Sequence, residues 1–152
     1  MSRIPHREVL RRYRRVVSVL RYLVATRQFS YVDRLAAAMS VDEVRAVVIE
    51  ALRTVKSALD SAVTVISDTG SYTCCDIRTE EVPIYAGGVA VKVKVKKSSR
   101  PDIVGKEVVC YQCPELPSEG EVARLLDDVS EDIEVARSIS AYALSLPTES
   151  RG

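Results

Sequence analysis

The chain has no tryptophan and no asparagine, and among its 152 residues it has one histidine (His6), one phenylalanine (Phe29) and two glutamines (Gln28, Gln112). With a single imidazole, a zinc site built on paired histidines is excluded, and a serine or cysteine nucleophile has no partner base except at the chain's first turn. The glycines are few, and Gly87-Gly88 is followed by neither Lys-Ser/Thr nor a helix start, so no phosphate loop is present. No apolar run approaches the roughly 20 residues that span a bilayer, and the charged start leads into no signal-peptide core. These absences predict a soluble, cytoplasmic protein with no membrane partner, no cofactor and no catalytic residues. Acidic pairs such as Glu80-Glu81, Asp127-Asp128 and Glu131-Asp132 occur, but neighbours in a helix or strand point apart, and exposed pairs are usually just solvated. Scarce thermolabile amides predict a hyperthermophile source, while genome base composition is an alternative reason for 16 Arg against 6 Lys.

What is present is a globular balance of 47% hydrophobic and 28% charged residues with a net charge of only +1. That small net charge hides segregation. Residues 1–34 hold nine Arg against Glu8 and Asp33, a net of +7, whereas residues 114–152 hold three basic and nine acidic groups, a net of −6. Such asymmetry points to a polyanion-facing N-terminal helix, to contact between copies through basic and acidic ends, or to ends that neutralise each other within one fold.

Residues 6–27 read as a helix, with Leu10, Tyr13, Val17, Leu20 and Val24 on one apolar stripe and Arg7, Arg11, Arg14 and Arg21 on another face beside Arg15. A short helix over Tyr31–Met39 follows. Ser40 and Glu43 then form a capping-box pattern that opens a helix to about Ala62. The period next becomes that of strands: Val63–Ile66, Tyr72–Ile77, Glu81–Tyr85, Val89–Val95 and Glu107–Tyr111. In the fourth, Val91, Val93 and Val95 alternate with Lys92, Lys94 and Lys96, which gives an apolar face and a lysine row. The Ser98–Pro101 loop is the expected flexible stretch. Ser118 with Glu121 opens another helix to about Asp128, and Ser130 caps a last one carrying Ile133, Ala136, Ile139, Ala143 and Leu146. The predicted fold is α+β: a helical part (1–62), a small inserted antiparallel sheet (63–113), and C-terminal helices (114–152) that pack back on the first, all in one compact domain.

Four cysteines fall in that sheet. Cys110-Tyr111-Gln112-Cys113 has zinc-knuckle spacing, and Cys74-Cys75 could complete a four-thiolate set. Adjacent residues on a strand face opposite ways, so disulfides between the two segments form more naturally, with buried free thiols as the third arrangement. In each case the role is structural.

The arginine stripe and lysine row are the candidate binding residues: Arg7, Arg11, Arg14, Arg15, Arg21, Lys92, Lys94 and Lys96. Guanidinium and ammonium groups suit phosphates, and with few aromatics beside them the binding would be blind to sequence. Each set has an alternative: strand-edge protection for the lysines, and a face answered by the acidic C-terminal helices for the arginines. Leu35–Val44 also has the rhythm of a helix-turn-helix followed by strands, as in a winged-helix regulator. Its groove-entering helix, however, would begin with Asp42-Glu43, which repels phosphates.

The segment Tyr22…Phe29-Ser30-Tyr31-Val32-Asp33-Arg34-Leu35-Ala36-Ala37-Ala38, with the Ser40-capped helix ending Ala51-Leu52-Arg53-Thr54-Val55, resembles the small subunit of archaeal type I-A CRISPR interference complexes. The resemblance implies a non-enzymatic subunit of a crRNA-guided antiviral effector (the archaeal Cascade). It also implies contacts with the large subunit and the crRNA-bound backbone, and a part in holding displaced or target DNA strands. Three classes of function are therefore expected to compete: an assembly subunit with nucleic-acid contact, a winged-helix regulator, and an enzyme of unrecognised type.

Overall fold

The computed structural model describes residues 11–79, 90–128 and 133–144. The expected strand Glu81–Tyr85, the residues His6, Arg7, Gly87 and Gly88, the Ser130 cap, Glu131, Asp132 and Leu146 lie outside them.

Helix α1 (Arg14–Ala25) follows a turn at Tyr13. It buries more than the single expected stripe, because Val16, Val19, Tyr22 and Leu23 are covered as well as Tyr13, Val17 and Leu20. The reason is its central position, with helices on several sides. The helix ends in a reversed turn: the Arg27 N–H donates to Val24 O and the Gln28 N–H to Leu23 O, with Arg27 at φ 67°. This is the Schellman arrangement, with arginine where glycine is usual.

Helices α2 (Ser30–Ala36) and α3 (Val41–Asp60) come next. Ser40 Oγ accepts from the Glu43 N–H at 3.2 Å, and the Glu43 carboxylate accepts from the Met39 N–H at 2.9 Å. The predicted capping box thus closes, one residue further back than its usual form. The face Val44, Val47, Val48, Ala51, Leu52 and Val55 is buried. Near the other end of the chain, Ser118 caps α4 (Glu119–Asp128) by accepting from the Glu121 N–H. Helix α5 (Glu134–Leu144) packs on α1 and α2, and the buried Ser140 hydroxyl donates to Val32 O at 3.3 Å.

Between these helices lie β1 (Val63–Ser67), β2 (Gly70–Thr79), β3 (Ala90–Lys94), β4 (Lys97–Ser98) and β5 (Glu107–Gln112), all antiparallel in the order β3-β5-β2-β1-β4. The fold is α+β. The strands at the two ends of that order are consecutive pieces of one extended segment. At its middle, the Val95 N–H donates to Lys106 O and Val95 O accepts from Gly105 N–H, while the next amide, Lys96 N–H, donates to Ile66 O on β1. One residue therefore carries the ladder from the β5 side to the β1 side, and the sheet rolls up on itself. Gly105, at φ 86°, takes the backbone conformation that this crossing needs.

Rolling divides the apolar residues into two cores. Val65, Cys74, Val93, Val95, Ile103, Val108 and Cys110 fill the inside of the roll. Ala90, Val109 and Tyr111 face the other way and join the helical core. Along β5, alternate residues thus serve alternate cores, and for that reason Val108 to Tyr111 are all buried. Ser98–Pro101, the expected flexible loop, holds the last residue of β4 and leads into a 3-10 turn over Pro101–Ile103. Ser99 N–H donates to Thr64 O, and Arg100 N–H to the Ser98 hydroxyl, so its backbone groups have partners within the fold.

The cysteines form two disulfides, Cys74–Cys110 and Cys75–Cys113. The β2–β5 register slips between Cys74 and Asp76, which sets Cys75 at a bulge. Cys74 turns into the roll and Cys75 packs against the helical core. One bridge therefore ties the roll internally, and the other fastens it on its helix-facing side. With every sulfur bonded to another, none is left as a thiolate for zinc.

Candidate nucleic-acid interface

The start of α1 carries a dense set of cations. Arg11, Arg12, Arg14 and Arg15, with Val16 and Glu121, line a depression of about 130 Å³ on the surface. Arg11, Arg12 and Arg14 are exposed, and Arg15 is partly covered. The Arg15 Nε lies 2.8 Å from Glu115 Oε1, and its Nη1 lies 3.3 Å from Glu121 Oε1. Arg15 is thus held by the acidic segment after β5, and its neighbours face solvent around it. Beside this site, Arg53 forms a two-pronged pair with Glu119, at 2.9 and 3.0 Å, which holds the Glu119 carboxyl below its ordinary range. The Arg15 contacts carry out part of the internal neutralisation between the basic and acidic ends that the charge segregation allowed.

Arg21 does not belong to this groove. Its Nε donates to Tyr142 O at 3.1 Å, which joins α1 to α5, and burial lowers its pKa from the ordinary arginine value. The helical period places it on the arginine stripe, but α5 covers that position. Arg12, which sequence periodicity did not single out, does line the groove. The readable signal was the dense run Arg11-Arg12-Tyr13-Arg14-Arg15, with the helix irregular at Tyr13.

The lysine row lies elsewhere. Lys92 and Lys94 point outward from β3 while Val93 fills the roll. Lys92 Nζ lies 3.1 Å from Glu107, and Lys96 pairs with Asp68. Asp68 is held below its usual pKa chiefly by Lys96, with a smaller contribution from Lys94. The roll meets α1 at the opposite end from the groove. There the Arg78 guanidinium pairs with Asp76 at 3.0 Å, lies 5.2 Å from the centre of the Tyr111 ring, and donates to Thr26 O. Tyr22 is buried beside this cluster; burial and the Asp76 charge push its phenol up to about 12, against the opposing pull of Arg78. From Arg15, opposite Glu115, α1 runs to Thr26, opposite β5 residue Val109 through Arg78. The stretch of α1 between these two ends, 11 residues at 1.5 Å each, is about 16 Å long, and β5 continues from there to Glu107 and Lys106. Among the described residues, Arg11, Arg14 and Arg15 therefore lie at one site and Lys92, Lys94 and Lys96 at another.

The helix-turn-helix expectation meets a different obstacle. α3, which would enter the DNA groove, is packed against α1, α2 and α4 along its apolar face, and its first turn carries Asp42 and Glu43. Arg34, on α2, is bound to Glu50 of α3 at 3.0 and 3.1 Å. Among the described residues, no group of three or more His, Cys, Asp or Glu is arranged to hold a metal ion. No described helix is long and apolar enough to cross a membrane.

A search of curated proteins finds no match to the chain. A family comparison does find one: residues 19–146 match the CRISPR-associated protein family Cas_Csa5. The matched span takes in α1 from Val19 onward, the described strands, and both C-terminal helices. It agrees with the resemblance carried by the Phe29–Ala38 segment and the Ser40-capped helix. The chain belongs to the CRISPR-associated Cas_Csa5 family, the small subunit of type I-A interference complexes.

Proposed function

We propose that the protein acts without catalysis as a structural subunit of a crRNA-guided DNA interference complex. It contributes contacts to neighbouring subunits and grips nucleic acid through the phosphate backbone. The observation that carries this reading is the arginine groove at the start of α1, a concentration of guanidinium groups on a chain of a CRISPR family. Forked donors suit phosphate oxygens, and with no aromatic among the described residues that line the groove, binding follows charge and not base identity. The amide-poor composition supports a hyperthermophilic source, and membership of the family supports an archaeal one, with the complex at work in the cytoplasm.

The test is binding of the full chain to mixed-sequence single-stranded and duplex oligonucleotides by fluorescence anisotropy across a salt series. The expected result is sequence-blind binding that weakens steeply with salt. Arg11→Gln with Arg14→Gln should lower affinity and flatten the salt slope by about 0.7 to 0.9 for each phosphate that is no longer neutralised. Equal affinities and equal slopes for the variant and the parent would refute the groove's role. The groove would then be left to an acidic surface of a partner subunit.

A further inference from the structure

The outer end of the rolled sheet gathers charged residues from three separate stretches of chain. The Val95–Lys106 and Lys96–Ile66 backbone bonds bring residues 94–97, 104–106 and 66–68 together. Lys94 and Lys96 both act on Asp68, while Arg100 and Lys106 both act on Asp102. Four cations, Lys94, Lys96, Arg100 and Lys106, thus stand around two carboxylates, with Glu107 engaged by Lys92 next to them and Lys97 opposite Ile66 in the β1–β4 register. Lys97 and Lys106 are exposed. Within the same rim, two aliphatic side chains reach solvent: Ile66 at 42% exposure and Val104 at 43%. The alternating strand pattern could not display this cluster, because Lys97, Arg100 and Lys106 arrive through the crossing and the 3-10 turn.

We infer that this end of the roll is a second nucleic-acid contact, separate from the arginine groove, and that it takes a single strand in preference to a duplex. The inference rests on the nucleic-acid reading above. A basic rim alone would serve either form, since both present phosphates. The exposed Ile66 and Val104 add something only a single strand can use: unpaired bases have free apolar faces, whereas in a duplex they are stacked inside. The length of α1 between the two sites, about 16 Å, equals about five stacked nucleotides at 3.4 Å each. A strand of 16 nucleotides can therefore touch both sites, and one of four cannot.

The experiment compares the parent chain, Lys97→Glu with Lys106→Glu, and Arg11→Gln with Arg14→Gln. Probes are oligo-dT of 4 and 16 nucleotides and a 16-base-pair duplex, each over a salt series. Thermal unfolding confirms that the exposed substitutions leave the fold intact. The lysine variant should bind the 16-mer about 10-fold more weakly, with a slope smaller by about 1.4 for two phosphates no longer neutralised, and lose less on the duplex. Val104→Ser should weaken single-strand binding and leave duplex binding unchanged. The parent should bind the 16-mer more tightly than the 4-mer by more than the statistical gain in sites. If the arginine variant weakens binding and the lysine variant does not, the second contact is refuted while the proposed function stands. Equal losses on strand and duplex would overturn the single-strand preference. A parent chain that binds none of the probes would overturn both readings.

Discussion

Cys74–Cys110 and Cys75–Cys113 join nearly the same two points of the chain, and this makes their contributions to stability strongly non-additive. Their sequence separations are 36 and 38 residues. Chain-entropy accounting gives about 4 kcal/mol for a single bridge closing a loop of that size. Once one bridge exists, the other closes only a ring of about six residues, worth about 2 kcal/mol. Replacing Cys75 and Cys113 by Ala should therefore cost about 2 kcal/mol, and replacing all four about 6 kcal/mol. The Cys74→Ala, Cys110→Ala pair should cost about 1 kcal/mol more than the other pair, because both residues are fully covered inside the roll and leave space behind. Urea unfolding without reductant, fitted with the slope compared among variants, measures these differences. Two pairwise removals costing about 4 kcal/mol each and summing to about 8 would refute the shared-loop argument. So would a quadruple variant no less stable than either pair.

Two further predictions concern α1. Arg27→Gly should stabilise the protein by about 1 kcal/mol, because glycine occupies the left-handed conformation at this helix end without the cost arginine bears; thermal or urea unfolding would show it, and a loss would mean that the Arg27 side chain contributes more than its backbone strain costs. Tyr22 should titrate near pH 12 in the folded state, against about 10 when unfolded. Since the fold favours the protonated phenol, the stability it contributes is complete below pH 10 and is lost as pH rises from 10 to 12. Ultraviolet titration should show a late phenolate transition that Tyr22→Phe removes, and an unchanged curve in that variant would contradict the assignment.

Much of the local structure was legible along the chain. Ser40 with Glu43 and Ser118 with Glu121 marked helix starts because a capping hydroxyl and its amide lie within one turn of each other. The β3 alternation was equally plain, since neighbouring residues on a strand must face opposite sides whatever surrounds them. The extent of burial on α1 was not legible. A three–four period shows one apolar stripe, but Val16, Val19 and Leu23 are covered because helices and the roll close in from other directions.

The candidate binding residues show the same division. Composition alone established a basic first helix, an acidic C-terminal stretch and a valine–lysine strand, since these are properties of neighbours in sequence. That Arg21 is used up between α1 and α5, that Arg12 joins the groove, and that Arg100 and Lys106 gather about Asp102 were decided by packing. The sheet's closure through Val95 and Lys96 belongs to the same class, because it depends on hydrogen bonds between residues distant in sequence. Sequence period determines which way a side chain leaves its own element. Only the tertiary structure decides what stands opposite it, and so whether a charge is spent inside the protein or left for a partner.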